Sequence, residues 1–236
     1  MAEIDDIHTD FPCYGARKMS KELAKRGHPG WSRRRVARLM GEMGVEAVYP
    51  RPSTSGRRKE DRRFPYLLKN KVARFPNQVW SSDITYVRCG GAHMYVYAII
   101  DWFSRYIVGW DLLPDMGAAG VVACMARAFE EHGTPGVANS DQGSVFASDE
   151  YVSLLAANGV PQSMDGKARW VDNVFVERWF RSLKTEQLRV YEYSTPAELR
   201  RLVGEYVDQY NDERLHEALG YETPEEWYHS GLSAAA

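Results

Sequence analysis

Three acidic residues offer the sequence its most specific chemistry. Asp83 sits in "QVWSSDITYV" (78–87), Asp141 in "NSDQGS" (139–144) and Glu177 in "NVFVERWFRSLK" (173–184). A carboxylate inside an otherwise apolar strand is costly unless it is paired or bound to a metal. For Asp83 the ordinary reading is a salt-bridged or edge-exposed residue. Asp141 ends a short strand in a glycine-containing loop, at the carboxyl-end edge where α/β sheets hold ligands; an ordinary turn aspartate has the same pattern. Glu177 could simply pair with Arg181 one helical turn on, for a few tenths of a kcal/mol. Together the three suggest more. Two strand carboxylates and one helix carboxylate can converge on hard divalent cations. Mg²⁺ favours a few carboxylates together with phosphate oxygens and water. Two such ions roughly 3.5–4 Å apart activate an attacking oxygen and stabilise a leaving one in displacement at phosphorus. Lys167, Arg169, Arg181 and Lys184 would then hold a DNA backbone beside the ions.

The elements that must position these acids follow from periodicity. Val79, Ser81, Asp83, Thr85 and Val87 share one face of a strand over 78–87. "CGGA" predicts a turn, followed by strands over 93–105 and 106–113 in an antiparallel meander. A helix over 116–133, a strand over 136–141, a helix over 148–159 and a strand over 160–164 complete an α/β order with a mixed sheet. Asp172 is placed to cap the helix carrying Glu177. At about 100° per residue, Phe175, Val176, Trp179, Phe180 and Leu183 fall in one buried arc. Asn173, Glu177, Arg181 and Lys184 fall in another. The aromatic and basic residues of this segment therefore divide by face. Further on, Thr195 and Pro196 predict the start of a helix with an apolar stripe of Leu199, Leu202, Val203 and Tyr206. His93 and His216 read as packing residues, and Trp227 as packing back from a final short helix.

Charge divides the chain unevenly. Residues 11–74 hold 18 Lys and Arg against 5 Asp and Glu, while residues 75–236 hold 12 against 23. That asymmetry points to a nucleic-acid partner. Within the basic block, 14–27 and 31–44 read as two helices joined by a "HPG" turn, with Ser32 capping the second. Arg33, Arg34, Arg35 and Arg38 stay outside, which is a helix-turn-helix layout. "PRPSTSGRRKEDRR" (50–63) reads as a linker. The acidic "MAEIDDIHTD" is no signal peptide, and no apolar run approaches the about 18 residues of a membrane span. Three dispersed cysteines suit a reducing cytoplasm and give no structural zinc site.

From about residue 11 to 228 the chain resembles the catalytic proteins of DDE-type bacterial transposases of insertion-sequence family three, more distant relatives of retroviral integrases. The resemblance lies in "YGARKMSKELAKRG" with "RRVARLMGEMG", "PNQVWSSDITYV", "NSDQGSVFAS", "SMDGKARWVDNVFVERWFRSLKTE" and "YVDQYNDERLHEALGYETPEEWY". Between Asp141 and Glu177 lie 35 residues, the spacing of that family.

The resemblance implies a ribonuclease-H-like core, a mixed five-stranded sheet with helices, over 75–190. A small helix-turn-helix domain (11–49) and a basic linker (50–74) precede it, and a helical segment (191–232) follows. It implies Asp83, Asp141 and Glu177 as catalytic metal ligands for two Mg²⁺ ions, with Mn²⁺ able to substitute. It further implies strand cleavage at element ends and attack by the freed 3′-hydroxyl, without a covalent protein–DNA intermediate. The partners implied are double-stranded DNA of element ends and target, further copies of the chain on that DNA, and an upstream helix-turn-helix protein fused by frameshifting. The implied location is the bacterial cytoplasm, at the nucleoid, with no membrane association. Val145, Ala147, Ala168 and Trp170 depart from the residues common in relatives, which also carry more helical sequence before Ile4. The alternative expectation is a catalytically inactive DNA-binding remnant or repressor.

Overall fold

The computed structural model describes residues 1–47, 64–69, 71–164 and 173–235. The chain divides into two compact units, Met1–Arg57 and Arg58–Ala236. The first contains helices α1 (Ala2–Asp10), α2 (Ala16–Lys25) and α3 (Arg33–Glu42). Ile4, Ile7, Met19, Leu23, Val36 and Met40 form its core, two residues from each helix at i,i+3 or i,i+4 spacing. Ser32 caps α3 by accepting the Arg35 N–H, as its sequence position predicts. The acidic opening segment, set outside a helical unit beginning at residue 11, is instead part of this unit. Two isoleucines three apart make too weak a stripe to read alone, and they are buried only because α2 is there to cover them.

The second unit is built on a five-stranded sheet in the order β3-β2-β1-β4-β5. Strands β1 (Trp80–Cys89), β2 (Ala92–Asp101) and β3 (Ile107–Leu113) form the expected antiparallel meander. Gly90 and Gly91 alone separate β1 from β2, and both have positive φ (54° and 85°). A two-residue hairpin turn that matches strand twist needs that conformation at both positions, which glycine supplies without strain. The expected strand over 93–105 stops at Asp101. Its buried carboxylate accepts hydrogen bonds from the N–H groups of Asn77, Phe103 and Ser104 and from the Ser104 hydroxyl. That ring of donors turns the chain into β3.

Helix α4 (Ala118–His132) leads to β4 (Ala138–Ser140), and α5 (Asp149–Ala157), capped by Ser148, leads to β5 (Gln162–Met164). Both short strands run parallel to β1. Strand β2 is buried on both faces, so its alternation serves two cores. Tyr97 and Ile99 pack toward α4 and α5, among Val121, Met125, Phe129, Tyr151 and Leu155. Val96, Ala98 and Ile100 pack on the other side with Val176, Trp179, Phe180 and Leu183 of α6 (Val174–Ser182) and its extension. Helix α6 widens into a π-helical segment at Leu183–Leu188. Helix α7 (Pro196–Asp208) packs over it and starts with a complete capping box, in which Thr195 and Glu198 each satisfy the other's backbone. Helix α8 (Pro224–Ala235) closes the fold, and the Trp227 indole donates to the Leu219 carbonyl at 2.9 Å.

Candidate active site

Strand register brings the two aspartates abreast. Parallel strands β1 and β4 pair Ser82 with Ser140, and one step further along each chain come Asp83 and Asp141. Neighbouring strands lie about 5 Å apart. Alternation along β1 places Asp83 on the same face as Val87 and Cys89, which pack on the α6 side of the sheet. Its Oδ1 accepts the Ile84 N–H at 2.7 Å. Asp141 follows the end of β4 and is exposed; its Oδ1 accepts the Gly143 N–H at 2.9 Å.

Glu177 reaches the same place from α6. With Asp83, Thr85, Phe180, Arg181, Lys184, Thr185 and Arg189 it lines a groove of about 330 Å³. Partial burial pushes its carboxyl above the usual range, the charge of Arg181 opposes this, and the charge of Asp141 adds to the rise. Glu177 and Asp141 therefore feel each other as like charges. Among the described residues, no group of three His, Cys, Asp or Glu side chains is placed to hold a metal ion. The close convergence expected from the sequence is thus incomplete: Asp83 and Glu177 line one groove, Asp141 lies near enough for its charge to act on Glu177, and the three do not close into a cage. The donors themselves fit a hard divalent ion. They are oxygen-only and largely solvent-reachable, with two fixed by strands and one on a helix.

The cations expected beside the acids have different fates. Arg181 is exposed on the groove wall. Lys184, expected to hold a DNA backbone, folds back onto β1. Its Nζ donates to Thr85 Oγ1 at 2.7 Å and lies 5.3 Å from the Tyr86 ring centroid. Burial lowers its pKa, Arg189 lowers it further, and Asp83 opposes both. Lys167 and Arg169 lie outside the described residues, as do Asp172, Ala168, Trp170 and the segment 50–63. In the first unit Arg33, Arg34, Arg35 and Arg38 are all exposed on α3. Arg38 pairs with Glu42, and the Arg35 guanidinium stacks 4.7 Å from the Trp31 centroid.

Sequence reading missed Arg105, Arg178 and Arg214, which cluster beside Arg181 in a second hollow. Arg178 was legible three residues from Arg181 on one helical arc; Arg105 and Arg214 come from turns that no periodicity marks. Val145 is buried, and Ala147 packs against the same core as Phe146. Those two departures are packing changes beneath the Asp141 loop. The half-buried His216 packs edge-on to Tyr210 at 4.8 Å, as a packing histidine should, whereas His93 is exposed at the start of β2.

Comparison with known proteins places this geometry. Integrase core domain models match residues 73–169 and 158–224, and an HTH-like domain model matches residues 1–53. Among solved structures, the catalytic core of HTLV-2 integrase superposes with a TM-score of 0.56 at 18% identity, covering 66% of this chain and 98% of that one. The catalytic core of BIV integrase gives 0.55 at 19%, covering 68% and 99%. At those identities the likeness concerns the fold alone; with the domain matches it defines an integrase core of the ribonuclease-H-like class. Sequence relatives are closer. The transposase for insertion sequence element IS904 of Lactococcus lactis is 33% identical over 221 residues, covering 91% of this chain and 87% of that protein. The putative transposase InsK for insertion sequence element IS150 of Escherichia coli K12 is 30% identical over 225 residues, covering 93% and 79%. The chain belongs to the insertion-sequence family-three (IS3) transposases. No helix of the described residues is long and apolar enough to cross a membrane.

Proposed function

We propose that this transposase cleaves DNA strands at the ends of an insertion sequence and joins the freed 3′-hydroxyl to a new phosphodiester, with Asp83, Asp141 and Glu177 as its catalytic residues. The observation that carries the reading is the β1–β4 register, which sets Asp83 and Asp141 abreast while Glu177 shares a groove with Asp83 from α6 and feels the charge of Asp141. The three carboxylates would hold Mg²⁺, or Mn²⁺ in its place; magnesium is the ion named with the HTLV-2 integrase core. Bound there, a pair of divalent ions supplies Lewis-acid activation of the attacking oxygen and charge stabilisation of the leaving one.

The chain's own residues do the rest. Asp83 and Asp141 are fixed by strand backbone and by hydrogen bonds from Ile84 and Gly143, so they present oxygens at a set spacing. Glu177 supplies the third donor from a helix packed through Val176, Trp179 and Phe180. Arg181 stands on the wall where a DNA phosphate would lie, and Lys184 keeps a cation beside Asp83 while tied to Thr85. Lys167 and Arg169 remain candidates for the same backbone. Among the described residues, Arg33 and Arg34 on α3 lack the pairings that occupy Arg35 and Arg38, and they are the best placed there for duplex phosphates. The wider scheme has further copies of the chain assembling on paired DNA ends, and an upstream frameshifted partner.

The test is strand transfer with pre-cut DNA ends in Mg²⁺. Asp83→Asn, Asp141→Asn and Glu177→Gln each remove one donor charge at a position that is not core. Groups that merely orient a metal ligand are worth about 10–100-fold, so loss of a ligand should exceed about a hundredfold, with unchanged circular dichroism. Activity retained by any of the three would remove that residue from the site. Inactivity of the unaltered chain on all end sequences would favour a DNA-binding remnant.

A further inference from the structure

Beside the carboxylate groove lie two more hollows, joined by shared walls. A cavity of about 620 Å³ at the start of α6 is walled by Trp102, Phe103, Phe175 and Trp227. A hollow of about 390 Å³ carries Arg105, Arg178, Arg181 and Arg214. Arg105, Phe175 and Ala218 line both, and Arg181 lines both the arginine hollow and the carboxylate groove. The three hollows therefore adjoin in the order carboxylate groove, arginine hollow, aromatic chamber.

Arg105 is held there at a cost. It has φ 67°, the left-handed region that side chains other than glycine seldom adopt. Such strain persists only where the surrounding structure enforces it, and it clusters at functional sites. The guanidinium lies 3.3 Å from the Phe175 ring centroid and donates to the Trp102 carbonyl. Burial lowers its pKa to about 10, Tyr210 and Asp101 oppose the fall, and Arg178 adds to it. Nearby carboxylates are already occupied. Asp101 takes four hydrogen bonds from Asn77, Phe103 and Ser104, and Glu186 is gripped by Arg214 through two, at 2.9 and 3.0 Å. The cluster of like charges calls for an anion, and the chamber behind it for a flat apolar group.

We propose that these two hollows capture one unpaired nucleotide of a DNA strand, its base in the aromatic chamber and its phosphate on Arg105 and Arg178. The inference rests on the nucleic-acid reading of the neighbouring groove and adds a site for unpaired strand beside it. Any base offers a π-face to aromatic side chains, so this recognition tolerates sequence. Arginine suits the phosphate because its planar fork donates two hydrogen bonds at once.

The experiment uses the full chain without divalent ions, so that cleavage cannot contribute. Two probes are compared by fluorescence anisotropy: a blunt duplex, and the same duplex with a 3′ single-stranded overhang carrying 2-aminopurine. The overhang probe is expected to bind about tenfold more tightly, a factor within reach of one stacked base, and its 2-aminopurine to be quenched. Arg105→Gly removes the guanidinium where glycine relieves backbone strain, and Phe175→Leu removes the ring while keeping an apolar side chain. Each should cut overhang affinity about tenfold and restore fluorescence, with blunt-duplex affinity unchanged, and Arg105→Lys should recover part of the loss. Equal affinity for the two probes, or quenching that persists in both variants, would overturn the proposal while leaving the carboxylate site untouched. Failure to bind either probe would overturn both readings.

Discussion

Gly143 holds Asp141 in place through its N–H, and nothing larger fits at that position without moving the carboxylate. A Cβ there would lie 2.9 Å from Asp141 Oδ1 and 3.3 Å from the Phe146 ring. Its backbone conformation (φ −64°, ψ 141°) is one any residue adopts, so the obstacle is contact and not torsion. Gly143→Ala should therefore lower strand transfer about 10–100-fold, the range for groups that orient a metal ligand. The thermal midpoint should hardly move, because the loop is at the surface. Joining assays together with thermal denaturation check this. An unaffected rate would mean that Asp141 tolerates displacement. At the same scale, the sequence showed the three acids and their spacing but not Gly143's duty, which depends on where a loop amide points.

At the scale of elements, the segment after α6 is clamped to the turn after α7. Arg214 and the Tyr206 hydroxyl both bond Glu186, and Arg214 approaches His216 Nε2 at 3.5 Å. Hydrogen bonding from Arg214 holds the Glu186 carboxyl below its usual range. The His216 imidazole has its pKa lowered to about 4, first by burial, then by the charges of Arg214 and Arg105, with Glu186 opposing. An unfolded histidine titrates near 6.5. Between those values the unfolded chain binds a proton that the folded chain rejects, so the contribution of His216 to stability is full above about pH 6.5 and is lost as pH falls toward about 4. Denaturant unfolding across that window should show a stability decline that is shallower in His216→Gln. Glu186, whose carboxyl is held below its usual range, loses its contribution only as pH falls below 4.5, under most of the His216 window. Identical slopes in variant and parent would mean that His216 is not kept neutral by its surroundings.

For the whole molecule, the two compact units differ in charge. The basic block belongs largely to the helical unit, while the sheet unit carries the acids and a local arginine cluster. Each phosphate contact that releases a counterion contributes about 0.9 to the slope of log affinity against log salt on duplex DNA. Arg33→Ala and Arg34→Ala should each weaken duplex binding across unrelated sequences and reduce that slope by about 0.9. Arg38→Ala should do less, because its guanidinium is already paired with Glu42. Salt titrations by anisotropy test this. Equal effects of all three would mean that the helical pairing opens on DNA.

The sequence by itself determined the alternation along β1, the helical arc carrying Glu177, the Gly-Gly hairpin, the caps at Ser32 and Thr195, and the order of strands and helices. All of these are short-range patterns fixed by backbone geometry. Tertiary structure alone decided that α1 belongs to the first core, that Lys184 folds onto Thr85, that Val145 is packing, and that Arg105 shares a hollow with Arg178 and Arg214. It also decided that Asp83 and Glu177 line one groove with Asp141 close by, without the three closing into a cage. The reason is common to these cases: each depends on residues from separate elements meeting in space, and on where charge is desolvated, which neither periodicity nor spacing along the chain encodes.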